Sequence, residues 1–203
     1  GLTCALFLPY FRGVKIGLFF GSFNPIHIGH LIIANIMAEH TDLQKVWLVV
    51  SPQNPFKPAR SLLHEFDRYD MVQAAVAENY KLTVSDVEFH LPKPSYTIHT
   101  LAHLHEKHPN HQFRVIVGED NLQKFGNWKN HEQILSGYGL YVYPRPHAIK
   151  TDFHHHPQVQ FVEAPLIDIS ATYIRHLVQQ GKSIRYLVPE PVEQLIRLKG
   201  FYQ

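Results

Sequence analysis

The chain has 203 residues, 45% of them hydrophobic and 18% charged, with a net charge of +2 when histidine is counted neutral. Those values suit one sizeable folded core and exclude a disordered or fibrous chain. The basic residues are scattered with no concentrated stripe, so the expected anionic partner is a small phosphate compound rather than nucleic acid, and no apolar run is long enough to span a bilayer.

Cys4 is the only cysteine, which leaves no disulfide framework and fits a reducing, cytoplasmic setting. The apolar opening Gly1 to Phe11 lacks both a basic start and a small-residue cleavage site, so it does not read as a signal peptide. Histidine is unusually common, with 16 copies. The run His154-His155-His156 before Pro157 offers metal ligands by composition, but a solvated loop is the simpler expectation.

In chain order, Val14 to Phe20 is a short apolar run ending at Gly21, the pattern of a buried parallel strand. Ile28 to Glu39 follows as a well-buried helix, and Val46 to Val50 as a second strand that stops at Ser51-Pro52. Three prolines keep Pro52 to Pro58 out of any regular element. Glu65 to Asn79 has helical spacing, Leu82 to Phe89 reads as a strand, and Thr97 to Lys107 as a helix capped by Ser95 or Thr97.

Phe113 to Val117 is the next strand, running into Gly118-Glu119-Asp120, with Asp120 a candidate cap for a helix over Asn121 to Phe125. Leu140 to Tyr143 and Val159 to Val162 are the last strands. Ser170 reads as the N-cap of a helix ended by Gly181, and Glu190 to Lys199 as a final helix stopped by Gly200. Strands separated by helices predict βαβ units and a parallel sheet, an α/β fold of Rossmann type flanked by helices. In such sheets ligands gather beyond the carboxyl ends of the strands, so the informative residues should follow strands.

They do. Between the first strand and first helix stands Gly21-Ser22-Phe23-Asn24-Pro25-Ile26-His27-Ile28-Gly29-His30. Gly21 permits a tight turn or a close approach. His27 and His30 are three apart and share a face of the first helical turn, where free backbone N–H groups and the positive helix end favour an anion. Gly29 leaves room for it. Metal ligation by the pair lacks an acidic third ligand nearby. Strand, glycine turn, two histidines and helix together read as a phosphate grip.

These residues resemble the H-x-G-H signature of the nucleotidylyltransferase superfamily. Class I aminoacyl-tRNA synthetases share it, but 203 residues leave no space for a tRNA-binding domain, and no Lys-Met-Ser-Lys-Ser-like segment is present. Near the C-terminus Ile169-Ser170-Ala171-Thr172-Tyr173-Ile174-Arg175 resembles the I-S-S-T-x-I-R motif of nicotinate mononucleotide adenylyltransferases, with Ala171 in place of the commoner serine. Ser51 to Lys57 resembles that family's substrate loop, with Phe56 where a histidine is common. Ser95-Tyr96-Thr97, Gly118-Glu119-Asp120, Phe125 with Trp128, and Tyr186 to Pro189 match further motifs in order. The resemblance covers one domain, 14–203, and leaves 1–13 as an extension without a counterpart.

The resemblance implies adenylyl transfer from ATP to nicotinate mononucleotide in NAD biosynthesis. His27, His30 and Arg175 would act in catalysis. Gly21, Ser22, Phe23, Gly29, Lys57, Gly118, Asp120, Ser170 and Thr172 would meet ATP or phosphate; Asp120 would lie near a ribose or the metal. Ser95, Tyr96, Thr97 and Trp128 would hold the mononucleotide, with Trp128 stacked on its ring. Mg²⁺ would be carried mainly by substrate phosphates. The alternatives are pantetheine-phosphate adenylyltransferase, which shares the first motif, and a non-catalytic nucleotide-binding regulator. A homo-oligomer stays open.

Overall fold

In the computed structural model, which describes residues 13–53 and 60–203, the first strand sets the architecture. Side chains alternate across a strand, so β1 (Lys15–Gly21) serves two cores at once. Ile16 and Leu18 enter one, while Phe19 enters the other. β1 is followed by α1 (Ile28–His40), β2 (Lys45–Val50), α2 (Glu65–Val76) and β3 (Leu82–Ser85). Then come α3 (Thr97–Lys107), β4 (Gln112–Gly118), α4 (Leu122–Phe125), α5 (His131–Gly137) and β5 (Leu140–Tyr143). β6 (Val159–Phe161), α6 (Ala171–Gln179) and α7 (Glu190–Lys199) complete the described chain.

Among the described residues all six strands are parallel, in the order β3-β2-β1-β4-β5-β6. Helices cover both faces, as continuous apolar strands such as Val46, Leu48, Val49 and Val50 require. The chain leaves β1 toward β2 on one side and returns at β4 on the other. The crevice between the ends of β1 and β4 is therefore the topological switch point. No helix among the described residues is long and apolar enough to cross a membrane.

Five local expectations change. The strand expected over Leu82 to Phe89 ends at Ser85: β3 is an edge strand, and the Ser85 hydroxyl takes the Val87 N–H at 3.3 Å, turning the chain into a 3-10 turn over Val87–His90. The helix expected to reach Asn79 ends at Val76. α3 is capped by neither Ser95 nor Thr97; Tyr96 holds the N-cap position without a side-chain bond. Asp120 caps nothing and sits within a 3-10 turn over Glu119–Asn121. The short helix α5 had no expectation at all. His154 is also no solvated loop residue: its ring takes the Thr151 N–H at 2.9 Å and stacks on Phe161. Residues 1–12 of the extension and Lys57 lie outside the described residues.

Candidate active site

Beyond the β1 and β4 ends lie two cavities that share one lining residue, Asn121. The first, of about 260 Å³, is lined by Phe19, His27, Gly29, His30, Asp120 and Arg145, with Ser170 at its edge. The second, of about 360 Å³, is lined by Phe20, Glu88, Lys93, Ser95, Thr97 and Trp128 among others. Phe19 and Phe20 are neighbours on β1, so strand alternation itself sends one to each cavity. The two spaces meet at the switch point.

The histidine pair is built as a reciprocal cap. His27 is the N-cap of α1, its Nδ1 accepting the His30 N–H at 3.4 Å, while His30 Nδ1 accepts the His27 N–H at 3.2 Å. The rings stack with centroids 3.7 Å apart. Because each Nδ1 is an acceptor, a neutral ring carries its proton on Nε2, which is left as a donor to whatever occupies the cavity. Burial holds both neutral: desolvation, then Arg145, lowers His27 to about 4, and desolvation, then His27 and Arg145, holds His30 well below its ordinary value. Phe19 and Phe23 pack edge-on against His30 from behind.

Gly29 is required by this arrangement. A Cβ there would stand 2.9 Å from His27 Cε1 and 3.3 Å from the Ile167 side chain. Its N–H has no partner among the described residues, whereas that of Ile28 is donated to the Leu187 carbonyl. At Gly118 a Cβ would meet Asp120 Oδ1 at 2.5 Å, so its bareness lets Asp120 fold back into the cavity mouth.

Not every expected residue lines a cavity. Gly21 closes β1, its carbonyl taking the Ser51 N–H at 2.9 Å, and Ser22 is exposed with its carbonyl bound to Arg68. Phe23 is buried packing, held at a positive φ of 47°. Arg175 stands one turn into α6, where Nη1 holds the Asn24 carbonyl at 2.8 Å and Nη2 the Thr172 hydroxyl at 3.2 Å. It ties α6 to the histidine loop. Ser170 caps α6 through the Tyr173 N–H at 3.1 Å. Tyr96 is exposed beneath the Lys129 ammonium and does not line the second cavity.

Arg145 was not anticipated from sequence, although it follows β5 as the strand-end rule suggests. Its Nη1 donates to the Ile167 carbonyl at 2.9 Å, and its Nε lies 3.9 Å from Asp120. The ion pair is half-exposed and loose, so the guanidinium keeps donors for an anion. Glu88 was also missed: nothing in the strand expected over Leu82 to Phe89 marked it as a cavity residue.

A parallel sheet with a histidine-capped helix after its first strand and cations around the switch point defines a nucleotidyltransferase-type domain. The family model described as Cytidylyltransferase-like matches residues 18–177. A protein from Cytophaga hutchinsonii named "Probable nicotinate-nucleotide adenylyltransferase" is 64% identical over 189 residues, 93% of this chain and 98% of its own. One of the same name from Flavobacterium johnsoniae is 47% identical over 192 residues, 94% of this chain and 100% of its own. The chain belongs to the nicotinate-nucleotide adenylyltransferase family. Its fold is shared with the Plasmodium falciparum nicotinic acid mononucleotide adenylyltransferase complexed with NaAD, at a TM-score of 0.79 and 19% identity, covering 93% of this chain and 97% of that one.

Proposed function

We propose that this protein transfers the adenylyl group of ATP to nicotinate mononucleotide, giving nicotinate adenine dinucleotide and pyrophosphate, a cytoplasmic step of NAD biosynthesis. The observation that carries the reading is the pair of cavities joined at Asn121, one holding the histidine donors and the other Trp128 and the start of α3. The family names agree with it.

The triphosphate takes the histidine cavity, and the mononucleotide takes the cavity of Trp128, whose indole face suits a flat pyridinium ring. Its 5′-phosphate, already a nucleophile, attacks the α-phosphorus in line, and pyrophosphate leaves. The protein aligns the two phosphates and meets developing charge with fixed donors. Those donors are the Nε2–H groups of His27 and His30, the Gly29 N–H and Arg145, with Lys57, Arg175 and Thr172 as further phosphate partners. Ser95 and Thr97 meet the mononucleotide. The neutral imidazoles can gain positive character as phosphate charge builds beside them.

The lining residues fit a magnesium ion carried by the substrates. Asp120 is the one carboxylate in the histidine cavity, and no group of three potential ligands among the described residues could hold an ion without the substrate. Asp120 would take one position, with phosphate oxygens and water in the others. When bound, the ion neutralises charge on the leaving pyrophosphate.

The nicotinate preference rests on α3. Its N-terminus has no side-chain cap, and Thr97, its first residue, lines the cavity. An uncapped helix start presents N–H donors and positive potential, which suit a ring carboxylate better than an amide. Mixing ATP with nicotinate mononucleotide should yield dinucleotide and pyrophosphate in equal amounts. Hydrolysis of ATP without dinucleotide would refute the reading.

A further inference from the structure

The mononucleotide cavity contains a group that a purely donor-lined site would not. Glu88 is only 4% exposed, yet it lines the cavity together with Thr97 and Trp128. Its Oε2 accepts the hydroxyl proton of Thr100 at 2.6 Å, and Thr100 is itself fully buried one turn into α3. The acid is thereby tethered beneath the same helix start that faces the ring. An ionised carboxylate there would oppose a nicotinate carboxylate and attract a nicotinamide NH₂.

We propose that Glu88 sets the choice between a carboxylate and a carboxamide on the acceptor ring, favouring nicotinate as the neutral acid by donating its proton to the ring carboxylate. The inference rests on the mononucleotide occupying this cavity. Two carboxylates held against each other cannot both ionise, so nicotinate binds with one proton shared between the pair, taken up from solvent only where Glu88 had ionised. Burial already favours the neutral form of Glu88, the Thr100 hydroxyl opposing it in part.

The surrounding charges leave that balance in place. Lys93 lines the same cavity but is paired with Glu65 of α2 at 3.2 Å. Asp86 and His90, on the turn that carries Glu88, are paired with each other at 3.3 Å and exposed. α3 contributes the uncharged Thr97 and Thr100. β1 and β4 contribute Phe20, Ile116 and Val117.

The consequence is a preference that depends on pH. Nicotinate is favoured while Glu88 is protonated, and nicotinamide gains once it ionises. The ratio of kcat/KM for nicotinate over nicotinamide mononucleotide should therefore fall as pH rises, approaching about tenfold per pH unit above the Glu88 pKa. Both acceptors carry the same 5′-phosphate and meet the same histidines, so their titrations cancel in the ratio.

The experiment measures that ratio between about pH 5 and pH 9 for the full chain, Glu88→Gln and Thr100→Val. The wild-type ratio should fall, the Glu88→Gln ratio should stay level, and the Thr100→Val fall should move to higher pH, since the lost hydroxyl had favoured the anion. Should Glu88→Gln not fold, the wild-type profile and the Thr100→Val shift decide alone. A level wild-type ratio, an unshifted Thr100→Val profile, or a Glu88→Gln ratio that falls like wild type would overturn the inference while leaving nicotinate transfer intact. Failure of both mononucleotides to accept the adenylyl group would overturn the function and this inference together.

Discussion

His30 carries the most at the scale of single residues, because its ring does two things with two nitrogens. Nδ1 caps α1 and Nε2 is free for phosphate. His30→Ala should lower kcat about 10²–10³-fold with KM much less affected, as loss of a transition-state donor does. Near-normal turnover would remove it from the mechanism. The pair also writes a pH signature into stability. Both folded-state pKa values lie below the ordinary 6.5, so the unfolded chain binds more protons once pH drops past that value. The contribution is whole above about pH 6.5 and is lost as pH falls toward about 4, the folded value of His27. Each such group costs up to about 1.4 kcal/mol per pH unit in that window. Denaturation midpoints at neutral and mildly acidic pH should diverge less for His27→Gln than for wild type; equal acid sensitivity would contradict the buried neutral ring. The sequence pointed to this pair through its position after a strand. It could not show that the two nitrogens facing the backbone were already engaged, because a reciprocal cap depends on ring orientation.

Among elements, the loops after β1 and β2 are held by a buried cation with no counterpart in the motif reading. Arg68 of α2 is fully buried and donates to the carbonyls of Ser22 at 2.6 Å, Ser51 at 2.7 Å and Leu63 at 2.8 Å. Arg68→Met would leave three carbonyls without their charged donor. It should destabilise the fold by on the order of 3–5 kcal/mol, read as a lowered denaturant midpoint. A change under about 0.5 kcal/mol would mean that water replaces the guanidinium. Periodicity found the sheet strands and the longer helices well, since Val46 to Val50 and Ile28 to Glu39 have strong apolar patterns. It overran at β3, where only Val46 to Val49 of the neighbouring strand offer pairing, and it passed over α5, whose seven residues carry too little pattern. Arg68 shows the same limit: on a helix face an arginine reads as solvated until its partners are seen.

Across the whole molecule, the C-terminal turn reaches back to the loop after β1. The Tyr202 hydroxyl donates to Asn24 Oδ1 at 2.7 Å, while the Asn24 amide donates to the Ser61 carbonyl at 2.8 Å. Arg175 holds the carbonyl of the same Asn24. The C-terminal turn thus braces the histidine loop across the length of the sequence, which no local pattern could reveal. Tyr202→Phe should cost about 0.5–1.5 kcal/mol and lower the Tm by several degrees; an unchanged Tm would show that the brace is idle. β1 and β4 pair side by side in the sheet, and beyond their ends two cavities lie against each other at Asn121. In the proposed reaction this juxtaposition joins ATP to nicotinate mononucleotide. Its most direct measurement is kcat/KM at neutral pH with ATP and each of three acceptors: nicotinate mononucleotide, nicotinamide mononucleotide and pantetheine phosphate. The nicotinate form should be preferred over the nicotinamide form by at least about tenfold, with no turnover of pantetheine phosphate. Equal use of the two pyridine nucleotides, or turnover of pantetheine phosphate in their place, would contradict it.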